Sequence, residues 1–231
     1  MGRPWYRADP AVLPGLKADI ERCQPTMHME GSRKVPTLIG EFQICENGVM
    51  LDSYLLEIEL PAEKNGIPRV LEAGNRIPRE LDRHIDESGS ACVVLPEEYW
   101  YKHPEGMALT DFLDGPLRRY LAAQSVFEIE EEWPGEEWGH GVRGPEEFYA
   151  EVLGVPNLEE AVGWVNLLRL GRVGDHHYCP CRSGKVLRRC HPAKWHKLRS
   201  KVPVRVANRW WKNLPAHVAA RAAEALKDGE R

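Results

Sequence analysis

No apolar run in this chain approaches the roughly 18 residues that a membrane-spanning helix needs, so no membrane role is expected. The opening residues, Met1-Gly2-Arg3-Pro4-Trp5-Tyr6, lack the apolar core of a secretory leader, and the expected compartment is the cytoplasm. There is no internal repeat and no low-complexity tract. One region also lacks acid. From Val165 to Lys212 there are thirteen Lys and Arg and a single acidic residue, Asp175. The overall charge of −4 therefore divides into +12 in that stretch and −16 elsewhere. A basic segment of this density has two readings: it meets an acidic protein surface or a nucleic-acid backbone, or it docks on the acidic part of its own chain.

What is present is an ordinary globular composition, 42% hydrophobic and 29% charged over 231 residues, enough for one large domain or two modest ones. Of the six cysteines, Cys179, Cys181 and Cys190 are crowded together, whereas Cys23, Cys45 and Cys92 are scattered singly. That distribution suits a metal site in a reducing compartment better than a disulfide framework.

Asp9-Pro10-Ala11 opens a helix whose regular part is expected from about Leu16, with Leu16, Ile20 and Cys23 on one face and Cys23 in the core. Residues 26–34 are polar and read as a loop. Leu38, Gly40, Phe42 and Ile44 then alternate with Thr37, Ile39, Glu41 and Gln43. Asn47-Gly48 turns the chain, and Leu56, Ile58 and Leu60 alternate with Glu57 and Glu59. This is a hairpin, with Cys45 near its turn and without a role. Arg69 to Glu72 is a third strand. Residues 78–90 form a polar loop long enough to suggest function. The run Cys92 to Leu95 reads as a buried extended segment, with Gly89 supplying a positive φ just before it. A helix near 109–123 has Leu109, Phe112, Leu113, Leu117, Tyr120 and Leu121 on one face and Pro116 to kink or split it. Glu128 to Glu132 is a solvated acidic run. Glu146 to Leu153 is a helix ended by Gly154, and Leu158 to Leu170 is another, with residues 155–172 the natural domain connection.

The centre of the first part is Ile77-Pro78-Arg79-Glu80-Leu81-Asp82-Arg83-His84-Ile85-Asp86-Glu87-Ser88-Gly89-Ser90-Ala91-Cys92. A cysteine at such a junction can stay partly exposed, with backbone N–H groups favouring its thiolate, which makes Cys92 a candidate nucleophile. The alternative is an inert, packed thiol. The order of strands, proline-rich turn, His84 segment, Cys92 and helix over about residues 30–124 resembles the ubiquitin-conjugating enzyme (UBC) fold in its divergent bacterial forms. That resemblance implies an α+β domain, an antiparallel sheet meander flanked by helices, and Cys92 as the residue that carries a thioester. One departure stands out: where the family has His-Pro-Asn, this chain has His84-Ile85-Asp86, so the asparagine credited with steadying the oxyanion is missing. The resemblance gives His84 mainly a loop-shaping role, with a base or a solvated bystander as the other readings. Trp133-Pro134-Gly135-Glu136-Glu137-Trp138-Gly139-His140-Gly141 should pack onto the domain, and either presents His140 to the Cys92 face or is a structural corner.

Cys179-Pro180-Cys181-Arg182-Ser183-Gly184-Lys185-Val186-Leu187-Arg188-Arg189-Cys190-His191 carries four soft or borderline donors, with Ser183-Gly184-Lys185 turning the chain back between them. The donor set Cys179, Cys181, Cys190 and His191 suits one tetrahedral Zn²⁺ with no open position, a structural site. The segment is similar to the SEC-C zinc-binding motif known from the C-terminus of the bacterial translocation ATPase. Arg182 stands where that motif commonly has glycine. The module is expected to fold by binding metal and to act as a rigid basic platform through Lys185, Arg188, Arg189, Lys194 and Lys197. Trp210-Trp211 is either core or an exposed contact, and a last amphipathic helix is expected near Ala216 to Leu226.

The expected domains are 1–154, UBC-like with the Trp/Gly/His extension, and 155–231, a helical linker, the zinc module and a basic tail. Two functions follow from the resemblances. In one, Cys92 accepts a ubiquitin-like modifier from an activating enzyme and passes it to an amine, with the zinc platform recruiting a partner. In the other, the protein is a non-catalytic adaptor that binds protein or nucleic acid.

Overall fold

The computed structural model describes residues 3–30, 34–135, 138–155, 158–171, 173 and 177–220, apart from the side chain of Glu159. The chain divides into two compact units, Met1–Val94 with Glu105–Glu136, and Leu95–Pro104 with Glu137–Arg231. The division expected at residue 154 thus falls inside the second unit.

The first unit is α+β. It opens with a short helix, α1 (Trp5–Ala8), and then α2 (Val12–Cys23), which begins earlier than expected because Pro14 is tolerated in the first turn, where N–H groups have no partner anyway. Ile20 is buried, but Cys23 is exposed, so the expectation of a core Cys23 is corrected: it lies in the last turn of the helix, beyond the part that faces the sheet.

Five strands follow as an all-antiparallel meander in the order β1 (Met27–Glu30), β2 (Thr37–Glu46), β3 (Val49–Glu59), β4 (Arg69–Glu72) and β5 (Ser90–Ala91). The β2–β3 hairpin turns on Asn47 (φ 51°) and Gly48 (φ 78°), as the Asn-Gly pair demands. Leu38, Phe42, Tyr54, Leu56, Ile58 and Val70 are buried on one face of the sheet.

A helix that follows the sheet in sequence packs against it. α3 (Pro96–Lys102) belongs to the second unit, whereas α4 (Leu109–Phe112) and α5 (Arg118–Glu130) lie in the first, with α5 against β2 and β3. Between α4 and α5 the chain makes a π turn, Leu113–Leu117, around Pro116. Proline cannot donate to the carbonyl one turn back, and the wider turn absorbs that loss without breaking the helical path. Phe112, Leu113, Leu117 and Leu121 are buried.

Two readings of the first unit change. Residues 27–30, taken as loop, form β1, pairing with β2 so that Met27 lies opposite Gly40. A side chain at Gly40 would put its Cβ 2.2 Å from the Thr26 carbonyl oxygen, so glycine is what lets the two backbones approach. The run Cys92 to Leu95 is not a buried strand. Pairing ends at Ala91, Cys92 is exposed, Val93 to Leu95 are only half-buried, and Leu95 caps α3 with Pro96 in its first turn.

The second unit is helical: α3, α6 (Arg143–Leu153), α7 (Leu158–Leu170), α8 (Leu187–Cys190), α9 (Pro192–Lys201) and α10 (Val204–Asn213). Gly154 ends α6 in the left-handed region (φ 56°). The stretch read as a connection is the core of this unit: Ala161, Val162, Trp164, Val165 and Leu167 are all 0% exposed, which an amphipathic linker helix could not be. α7 packs against α6, α9 and α10, so the metal segment does not stand alone as a separate module. Trp210 is buried, whereas Trp211 is half-buried beneath the Arg169 guanidinium, 4.4 Å from its ring centroid. Residues 216–220 are helical, and the rest of the expected last helix lies outside the described residues. No helix among the described residues is long and apolar enough to cross a membrane.

Candidate functional site

The loop that carries Cys92 is built from the backbone outward. A single 3₁₀ turn, Leu81–Arg83, ends at His84, which takes a left-handed conformation (φ 52°). The Cys92 N–H donates to the His84 carbonyl at 2.8 Å, and Ile85, 1% exposed, bridges to Ala91, so loop and cysteine are tied at two points. Asp86 closes the tip. Its Oδ1 accepts the Ser88 N–H at 2.8 Å, the Ser90 N–H at 2.9 Å and the Ser88 hydroxyl at 2.6 Å. The Ser88 hydrogen bond holds this carboxyl below its ordinary value. An Asp86 occupied in this way shapes the turn and has its carboxylate turned to its own loop.

The loop is fastened to α5 by a buried arginine. Arg83, 7% exposed, donates through Nε to Gln124 Oε1 at 2.8 Å, while its carbonyl accepts from Gln124 Nε2 at 2.7 Å and from the Tyr120 hydroxyl at 3.1 Å. The guanidinium lies over the Phe127 ring at 4.5 Å and 3.8 Å from Glu128 Oε1. Burial keeps the Tyr120 hydroxyl well above its usual range, so it stays a neutral donor. Trp133 closes over this arrangement, with its ring 4.6 Å from that of His84 and 6.2 Å from those of Tyr120 and Phe127.

Of the residues expected at this site, Cys92 and His84 are brought together, Cys92 exposed and His84 with its ring against Trp133. His140 falls in the second unit. Arg83 and Gln124 are not singled out by the sequence, and Tyr120 is placed by it only on the apolar face of its helix. The signal was there in Gln124, a polar residue at helical spacing from Tyr120 and Leu121 on the apolar face of its helix.

The second arrangement is the Cys/His cluster. The Tyr178–Val186 bridge, the Cys179 N–H to Lys185 carbonyl bond (2.9 Å) and the Leu187 N–H to His177 carbonyl bond (2.7 Å) form a tight hairpin. Arg182 (φ 57°) and Gly184 (φ 72°) supply its left-handed positions. Arg182 thus adopts the conformation that a glycine would take most easily. α8 then delivers Cys190 and His191. The donor atoms of Cys179, Cys181, Cys190 and His191 all lie within 4.8 Å of one another, close enough to hold a metal ion.

The edges of this cluster include 3.2 Å from Cys179 Sγ to His191 Nδ1, 3.4 Å from Cys181 Sγ to Cys190 Sγ, and 3.3 Å from Cys190 Sγ to His191 Nδ1. A tetrahedron with bonds of about 2.0–2.3 Å has edges of roughly 3.3–3.8 Å, so the cluster is near the size a metal requires. Burial pushes the Cys179 thiol up. At Cys181 burial acts the same way but is outweighed by hydrogen bonds from Ser183 and the neighbouring thiols, which bring it to about 6. The hairpin rests on α7 at Gly163, where a Cβ would stand 3.1 Å from Pro180 Cβ, and the His191 ring meets Trp164 edge-on at 6.0 Å. Of the two histidines just before the cluster, His177 contributes its carbonyl to the hairpin and His176 lies outside the described residues.

Models of known protein families, curated proteins and solved structures were all compared with this chain, and none matches.

Proposed function

We propose that the first unit is a ubiquitin-conjugating-like domain that carries a ubiquitin-like modifier as a thioester on Cys92. The observation that supports this reading is an exposed cysteine placed at the end of a sheet meander by a loop that is pinned through Arg83 to α5. The Cys92 thiolate attacks the thioester carbonyl through which the activating enzyme carries the modifier's C-terminus; a new C–S bond forms as the old one breaks and the activating enzyme's thiolate leaves. An incoming amine then attacks the same carbonyl. A C–N bond forms, the C–S bond breaks, the thiolate is regenerated, and the amine's surplus proton passes to solvent. Because Asp86 is engaged in its own turn, the developing oxyanion is met by backbone N–H groups near Cys92 rather than by a side chain at that position.

In this reading the Cys179, Cys181, Cys190 and His191 cluster holds one Zn²⁺. Three thiolates and an imidazole match its preferred donors, and four protein ligands leave no position for substrate, so its role is structural. The likeness of this segment to SEC-C motifs supports the same assignment. A second reading, a non-catalytic adaptor, is favoured by the same Asp86 geometry, which leaves the site without the family's side-chain donor.

The deciding experiment is incubation of the full protein with an activating enzyme, ATP and a ubiquitin-like modifier, followed by non-reducing electrophoresis. A reductant-sensitive adduct that Cys92→Ala abolishes, and that Cys92→Ser turns into a reductant-resistant ester, is the expected result. Native alkylation that labels Cys23 while sparing Cys92 contradicts the carrier role and leaves the adaptor.

A further inference from the structure

In the second unit a row of cations is seated on aromatic rings. Helix α9 bears Lys194, Lys197 and Lys201 on one face, and Arg205 stands at the start of α10. The Lys194 ammonium lies 5.9 Å from the Trp164 ring centroid, Lys197 and Lys201 lie 5.6 and 4.7 Å from Tyr101, and the Arg205 guanidinium lies 4.5 Å from Trp100. Tyr101 and Trp100 come from α3 and Trp164 from α7, so the row is set by the packing of four helices, α3, α7, α9 and α10. The exposed Arg182, Lys185, Arg188 and Arg189 of the metal hairpin add to the same charge. No Asp or Glu occurs in the sequence from residue 176 to 223. Among the described residues, Lys185, Arg188, Arg189, Lys194, Lys197 and Lys201 form no ion pair, whereas Lys102 pairs with Glu98 and Arg143 with Glu147.

We propose that this face binds the sugar–phosphate backbone of a nucleic acid. Three features favour phosphate over an acidic protein surface. First, the row is made mostly of lysine, which is depleted from the cores of protein interfaces but is a standard phosphate contact. Second, each cation is already held against a ring, so its stem is ordered before binding and its charge is directed without the rotamer loss that a free lysine incurs. Third, Lys194 to Lys201 spans seven residues, about 10 Å along the helix. At about 3.4 Å of axial rise per phosphate on one strand, that is roughly three phosphate intervals. Phosphate and sugar contacts fix position but carry no sequence information, so the binding is indifferent to sequence.

The test uses the full-length, metal-loaded protein and the anisotropy of two fluorescein-labelled probes, a 20-nucleotide poly(dT) and a 20-base-pair duplex, with polyglutamate of equal charge as competitor. Binding of either probe is expected, with log K falling linearly against log salt. In Lys197→Ala/Lys201→Ala, affinity at low salt should drop at least tenfold, and the single-strand slope should lose about 1.4, from two phosphate contacts at about 0.7 each. Metal content and melting temperature of that variant should match the parent, and Arg188→Glu provides an independent loss on the exposed hairpin. Arg22→Glu, a charge reversal on α2 in the first unit, should bind as the parent does. The proposal is overturned if neither probe binds in 50 mM salt, if these variants bind unchanged, or if polyglutamate competes as well as nucleic acid, which would make the face one for acidic proteins.

Discussion

Gln124 is the residue on which the Cys92 loop hangs. Its amide accepts from Arg83 Nε and donates to the Arg83 carbonyl, so Gln124→Ala strands a buried charged donor, while the carbonyl keeps the Tyr120 hydroxyl. An unsatisfied buried group costs about 1–3 kcal/mol, and Gln124→Ala should destabilise the first unit by that order in urea titrations while loosening the loop. Alkylation of native Cys92 should then change in rate, whereas alkylation of Cys45 at the far hairpin should not. A change at neither cysteine would mean that Arg83 does not set the loop.

A second residue-scale prediction concerns Asp52, whose carboxyl is brought to about 2 mainly by hydrogen bonds from Arg76, with Ser125 adding to them. A carboxyl depressed on folding contributes stability that is full above about pH 4 and is lost as the pH falls toward 2. Arg76 is 37% exposed, so solvent screening reduces the gain to about 1 kcal/mol. Asp52→Asn should cost about that much at pH 7 and nothing near pH 2. A cost independent of pH would place the effect in packing.

At the scale of elements, α3 concentrates the most testable chemistry, and it was the element least visible in the sequence. Pro96-Glu97-Glu98 looks like an exposed helix start, with a proline and two acids in the first turn, yet Glu97 is 3% exposed. Burial raises its carboxyl to about 7, with its own backbone N–H and the charge of Arg209 acting in the opposite direction. Between about pH 4.5 and 7 the unfolded chain gives up a proton that the folded chain keeps, so stability falls across that window and stays lowered above it. Glu97→Gln should therefore stabilise the second unit by about 3 kcal/mol at pH 8 and by little near pH 4.5, as read from thermal melts at both values. Equal effects at the two pH values would mean that Glu97 is not buried in its neutral form.

Other elements were legible to different degrees for physical reasons. The Asn47-Gly48 hairpin and Pro116 carry their geometry in local chemistry, and both appear where they were expected. β1 does not: Met27-His28-Met29-Glu30 alternates apolar and polar, but over only four residues beside the polar stretch that follows, and Gly40 on the partner strand, a glycine inside a strand, marked the close backbone beside it. The site was legible to the same extent. The four candidate metal donors fall between residues 179 and 191 and could be read directly, whereas the Arg83–Gln124 fastening joins residues 41 positions apart.

At the scale of the whole molecule, the two units differ in what holds them together. The first has a sheet with helices packed on one face. The second has α7 at its centre, with the metal hairpin resting on Gly163 and Trp164. Metal binding to such donor sets is worth on the order of 10 kcal/mol in small modules that have no other core. Here the hairpin is attached to a core that already buries Trp164, Val165, Leu167, Trp195 and Trp210, so part of the unit's stability does not depend on the ion. Calorimetry of the full protein should therefore show two transitions. Chelation should lower the melting temperature of one without abolishing it and leave the other in place. Cys181→Ser should do the same and should lower the metal content below one per chain. Gly163→Ala tests the seat of the hairpin separately: its Cβ would press on Pro180 at 3.1 Å, so metal affinity should fall while helix content stays near the parent value. If chelation erases the transition altogether, the ion, not α7, is what holds the second unit together. If chelation moves neither transition, the cluster carries no structural metal.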